Sequence, residues 1–332
     1  MLNDLLYAES MFQILKKLKQ YIPALIVLML ISFSSAAQSA FSDKLASMHQ
    51  ISLKNDVVLT FDEPQKIDKK KVTKVIIYAL PNGNTTAWTF GKKLNEGEDW
   101  HFNIQHIGAQ TEFIRSTDTL SNYIIVYVEN ELKSWPAWRK QNAEGNAQIK
   151  EMVEYVFKKY EIYKPQITLS GHSGGGSFVF GYINSTNEIP SYINRIGFLD
   201  ATYGYETEMH SSKLKTWLRK KSNFLQVISY NDSVVVYNGK PLVSPTGGTW
   251  YRSKLIAKDL GLVESESDST IYYNRENGKN AEVLLLKNPS AAIFHTVLVE
   301  KNGFIHMVLN GTGYGIKKYE FWANRAYEKY IL

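Results

Sequence analysis

The segment Gly171-His172-Ser173-Gly174-Gly175 concentrates the chemistry of this chain. It follows a short strand-like segment, Gln166 to Leu169, and precedes a helix-like stretch, Phe178 to Ile183. A serine at a strand-to-helix turn is forced to positive φ, where neighbouring side chains collide, so glycines must flank it. The turn lifts Oγ above the sheet, at a helix N-terminus whose dipole favours developing negative charge. The Gly174 N–H is then placed to donate to an oxyanion, and the implied chemistry is attack of Ser173 on an acyl carbonyl. A phosphate loop is excluded. Gly171 and Gly176 have its spacing, but Ser177 stands where the phosphate-binding lysine is needed.

A nucleophile of this kind must be held by a sheet. Val57–Phe61, Val72–Leu80, Asn122–Val128, Gln166–Leu169, Arg195–Leu199, Phe224–Ser229, Glu282–Leu286 and Ala292–Val299 read as strands. The Val72 and Asn122 runs are largely apolar and rich in β-branched residues, as in strands buried on both faces. Helical periodicity marks the segments from about Asn146 to Tyr160, Lys213 to Lys220, Tyr251 to Leu260 and Gly315 to Tyr330. Strands separated by helices predict an α/β fold, a mostly parallel central sheet with helices on both faces. No linker or repeat interrupts residues 38–332, which are read as one domain.

On the Gly-His-Ser-Gly-Gly elbow and this context, the chain resembles the α/β-hydrolase superfamily from about Val57 onward. The resemblance implies a triad in chain order Ser, acid, His, and an oxyanion loop after an earlier strand. The loop after Val72–Leu80, Leu80-Pro81-Asn82-Gly83-Asn84-Thr85, occupies that place, with Gly83 and Asn84 as candidate donors beside Gly174. Seven histidines compete for the base. His172 is too close along the chain to face Ser173, and His295 falls inside the apolar run read as the last strand. His306 follows that run, where the superfamily carries its base. The acid stays open between Asp200, after Arg195–Leu199, and Asp232, after Phe224–Ser229. The commoner position in the superfamily favours Asp232. Trp135 and Trp138, with Tyr203, follow strands at the same edge and are candidates for an aromatic wall against substrate.

Composition narrows the class. Of 332 residues 44% are apolar and only 21% charged, which excludes a disordered chain. The absence of cysteine excludes a disulfide scaffold, a thiol nucleophile and a thiolate metal site. A net charge of +6 with scattered lysines gives no nucleic-acid surface. Lys16, Lys17 and Lys19, the apolar run from Ile22 to Ile31, and Ser34-Ser35-Ala36-Ala37 describe a signal peptide over residues 1–37, with Met1 or Met11 as the start. No stable membrane span is expected after its removal. The resulting expectation is an exported bacterial serine hydrolase, periplasmic or secreted, without cofactor or metal. It would cleave a carboxylic ester, on a small molecule or linked to a carbohydrate. A serine peptidase and a non-catalytic binding protein of the same fold are the alternatives.

Overall fold

A computed structural model describes residues 40–94, 104–275, 278–314 and 318–332. The residues expected to form a signal peptide lie outside them. Two units are present. In the smaller one, helix α1 spans residues 40–47, and the Lys93 N–H donates to the Leu332 carbonyl at 2.7 Å.

The larger unit is built on a ten-stranded sheet. Its first half holds β1 (His49–Leu53), β2 (Val57–Asp62), β3 (Val72–Ala79), β4 (Ser121–Asn130) and β5 (Gln166–His172). The second half adds β6 (Ile193–Leu199), β7 (Phe224–Tyr230), β10 (Val263–Glu266), β11 (Thr270–Arg275) and β12 (Gly278–Leu286), while β8 (Val236–Tyr237) and β9 (Lys240–Pro241) form a separate hairpin. The spatial order is β1-β2-β4-β3-β5-β6-β7-β12-β11-β10. Strands β4 through β12 in that order run parallel, and the two outer strands on each side are antiparallel.

The central parallel strands β3 and β4 are largely apolar because both of their faces are covered. On one face pack α4 (Trp135–Gln141), α5 (Gly145–Lys159), α6 (Gly176–Asn184), α7 (Thr207–Trp217) and α8 (Thr249–Leu260). On the other lie α2 (Thr86–Phe90), α3 (Ile107–Thr117) and α9 (Phe304–Leu309). Val75, Ile77, Ile124, Val126, Ile167, Leu169 and Val227 are buried and anchor the core. Each such side chain contributes about 1.5–3 kcal/mol over its exposed state.

Two expectations fail near the C-terminus. Ala292–Val299 is not a strand: residues 291–294 are irregular, and the chain then turns into a distorted π-helical turn, Val299–Gly303, and α9. The cause is local. Asn288 takes the Ala292 N–H on Oδ1 and donates Nδ2 to the Ala292 and Asn231 carbonyls, so the chain leaves the sheet after β12. The expected helix from Gly315 to Tyr330 is absent over residues 318–330, which form turns and a short 3-10 segment; residues 315–317 lie outside the described ones. There the Asn302 side chain bonds the Glu320 and Asn324 carbonyls and the Ala326 N–H, holding turns in place of helical bonds.

Candidate active site

Ser173 follows the last residue of β5 at φ +53° and opens the turn into α6. Its neighbours show why they are glycines. A Cβ on Gly174 would lie 1.9 Å from Asn82 Oδ1, and one on Gly176 1.8 Å from the Ala201 carbonyl oxygen. The elbow is thus wedged between the loop after β3 and the end of β6. Gly174 begins a helical turn, so its N–H has no intrahelical carbonyl to bond.

Asp200, fully buried, follows β6 at φ +46° and points Oδ2 at His295 Nδ1, 2.5 Å away. Thr249 Oγ1, at the start of α8, donates to the other Asp200 oxygen. The His295 side chain is about a quarter exposed. Its ring lies 4.6 Å, centroid to centroid, from that of His172, the residue before Ser173. Burial holds His172 well below the usual imidazole pKa, assisted by the adjacent His295, so it is neutral. Its Nε2–H donates to the His295 carbonyl at 2.9 Å and ties the loop after β12 to the elbow. His295 was set aside in the sequence because its apolar neighbours read as strand. Its position after the last parallel strand was the signal that could have found it.

Asp232 has a different task. Its carboxylate accepts from the Thr249 N–H at 2.7 Å and the Trp250 N–H at 3.3 Å, capping α8. Burial and the neighbouring Asp200 raise its pKa to about 6, with the α8 N–H groups pulling the other way.

His306 is not brought to Ser173. It sits on α9 with Nε2 3.1 Å from Glu282 Oε1 and Nδ1 3.2 Å from the Tyr319 hydroxyl. Glu282 aligns through Gln226 and Gly197 with Ser170, three positions before Ser173 on β5. That places the pair about 10 Å down the strands and three strands across. Burial pushes the Glu282 carboxyl up, but His306, Gln226 and Asn310 outweigh it and hold it below the usual range.

The other sequence candidates divide. The Gly83 N–H donates to the Lys133 carbonyl at 2.8 Å and the Asn84 N–H to the Pro81 carbonyl at 3.3 Å, so neither is free for an oxyanion. Residue 82 is what touches the elbow. Trp135 and Trp138 are 1% and 2% exposed and form no wall against substrate. They pack edge-to-face at 5.3 Å beneath α6, Trp135 against Phe178, and Trp138 donates Nε1–H to the Asn55 carbonyl. Tyr203 does stay at the site, 37% exposed, with its ring 6.5 Å from that of His295. Among the described residues no group of three or more His, Asp or Glu could hold a metal. No helix among them is long and apolar enough to cross a membrane.

The sheet order, the antiparallel β2, and a positive-φ serine between β5 and α6 define the α/β-hydrolase fold. No protein-family model matches the chain, and no curated protein matches its sequence. Solved structures similar to it include a thermostable esterase, 9% identical with a TM-score of 0.49, covering 80% of this chain and 63% of that one. The chain thus spans less than two thirds of that esterase's length. Native esterase 2 of Thermogutta terrifontis is 11% identical at TM-score 0.43, covering 83% of this chain and 96% of its own. An acetyl xylan esterase from Aspergillus awamori is 9% identical at TM-score 0.41, covering 73% and 92%. The strand order, not these likenesses, carries the fold assignment.

Proposed function

We propose that the chain is a serine hydrolase of carboxylic esters, with Ser173 as nucleophile, His295 as base and Asp200 as acid. The observation that carries this reading is the Asp200–His295 contact beside a serine held at positive φ. In the proposed cycle His295 Nε2 accepts the Ser173 proton as Oγ bonds to the acyl carbon. Asp200 fixes the Nδ1–H tautomer and stabilises the imidazolium. The carbonyl oxygen, now negative, takes the Gly174 N–H and a donor from Asn82. Collapse expels the alcohol with the proton returned from His295. Water, deprotonated by the same imidazole, then cleaves the acyl-enzyme.

With both tryptophans in the core, Tyr203 and the exposed Val234 and Ile293, on loops after β6, β7 and β12, supply the apolar surface. This supports an ester with an apolar or aryl portion. The reading also places the mature protein outside the cytoplasm, on the basic, apolar and small-residue segments of residues 1–37.

The test is labelling of purified protein with a fluorophosphonate, followed by peptide mapping and a screen of p-nitrophenyl esters. Stoichiometric labelling at Ser173, lost in His295→Ala and kept in His306→Ala, is the expected result. A folded protein that neither labels nor turns over any ester would favour a binding protein of this fold instead.

A further inference from the structure

We propose that a cavity at the amino-terminal edge of the sheet binds a small polyhydroxy compound bearing a phosphate or a carboxylate. The cavity measures about 420 Å³ and is lined from the starts of the parallel strands, including Gln166 of β5, Arg195 of β6 and Phe224 of β7. Gln166 and His172 are the two ends of one strand, so the cavity and Ser173 are separated by about 20 Å.

Three cations line it, Lys74, Arg195 and Lys221, and among the described residues no carboxylate does. Lys74 is held by Asp118 at 3.0 Å and by the Tyr123 hydroxyl at 2.9 Å. Lys221 is exposed. Among the described residues Arg195 has no carboxylate in contact: it donates to the Met307 and Asn310 carbonyls at the end of α9 and lies 4.2 Å from the centre of the Phe224 ring. Those two bonds leave most of a five-donor guanidinium fork open to a planar or tetrahedral anion. Burial lowers the Arg195 pKa to about 10, with Tyr123, Tyr319 and Glu282 opposing, so the group stays charged in a poorly hydrated place. Lys74 is itself lowered, by burial first and to a smaller extent by Arg195, with Asp118 opposing. An anion seated between the cations would relieve that repulsion.

The hydroxyl part of the ligand is indicated independently. Asn223 lines the cavity, is only 2% exposed, and donates Nδ2 to the Trp217 carbonyl. Among the described residues its Oδ1 is buried without a hydrogen-bond partner. A buried amide oxygen left unpaired costs about 1–3 kcal/mol, and a turn of the Asn223 side chain toward the cavity on binding would let a ligand O–H satisfy it. Thr168, Asn194 and Thr312 add further polar groups to the lining.

The experiment is calorimetric titration of the Ser173→Ala protein with glucose 6-phosphate, glucuronate and glucose. Saturable binding of either anionic sugar, at least tenfold tighter than glucose, is expected. The preference between the two identifies phosphate or carboxylate as the anion. Lys221→Glu, at an exposed position where folding is not at risk, should weaken that binding at least tenfold. Arg195→Gln should do so too, with its melting temperature followed alongside. No saturable heat, equal binding of glucose, or unchanged affinity in Lys221→Glu would overturn the proposal. So would loss of binding in wild-type protein whose Ser173 carries a phosphonate, because the ligand would then occupy the ester site.

Discussion

His295 Nδ1 and Asp200 Oδ2 lie 2.5 Å apart although 95 residues separate them in the chain. The contact joins the end of β6 to the loop after β12, with β7 lying between those strands in the sheet. The two histidines that follow β12 in the chain therefore have opposite expected behaviour. His295→Ala should lower kcat by about 10⁴ or more while leaving folding intact. His306→Ala should leave kcat within about tenfold and instead destabilise by about 1–3 kcal/mol, since Glu282 loses a partner. Ester turnover and urea unfolding of both variants check this, and a reversal of the pattern would return the base to His306.

The two carboxylates separate in the same way. Asp200→Asn should cost about 10⁴ in kcat, because an amide cannot hold the productive tautomer. Asp232→Ala should cost about 1 kcal/mol of stability through the lost α8 cap, with a smaller loss of activity transmitted through Thr249. Equal kinetic loss in both variants would contradict the assignment of Asp200.

Asp232 also carries a pH signature. Folded, it keeps its proton up to about pH 6, whereas the unfolded carboxyl releases it near its ordinary value of 3.8. The native state binds more protons between those values, so this group makes stability fall as pH rises through that window. The full difference is about 3 kcal/mol. Urea unfolding of wild type and Asp232→Asn at pH 4, 5, 6 and 7 should show curves that converge or cross, with wild type losing ground. Parallel curves would show that the cap holds Asp232 ionised.

Trp138→Ala should destabilise by about 3–5 kcal/mol without altering KM for any ester in the folded fraction. A raised KM with unchanged stability would move the tryptophan back to the substrate wall. Gly176→Ala probes the elbow similarly. Its Cβ would meet backbone, the Ala201 carbonyl, so the protein should fold poorly and lose labelling of Ser173 together with stability.

The elbow was legible because its glycines answer to steric demands that act within a few residues of Ser173. The strands β3, β4 and β7 were legible because burial on both faces leaves them largely apolar, and β5 because it leads directly into the elbow glycines. The proposed base was not, because His295 also stands in a largely apolar run, from Ala292 through Val299, and such a run looks alike in a strand and in a buried turn leading to a helix. Only the Asn288 bonds, which hold the chain off the sheet, distinguish them. The oxyanion donors of the loop after β3 were misjudged for a related reason. The Gly83 N–H is taken by the Lys133 carbonyl, which a distant part of the chain supplies, and the Asn84 N–H by the Pro81 carbonyl in a turn of the loop itself. Aromatic content gave no direction for Trp135 and Trp138, since an indole suits a core and a cleft equally.

The bond from His172 to the His295 carbonyl has a temporal consequence. The strand before Ser173 is synthesised well before the segment bearing His295, so a chain that has not yet docked that segment lacks the proposed proton acceptor. Hydrolytic competence would appear only when that later segment docks and the imidazole next to Ser173 closes the latch. Until then the serine is a spectator, whatever esters surround it.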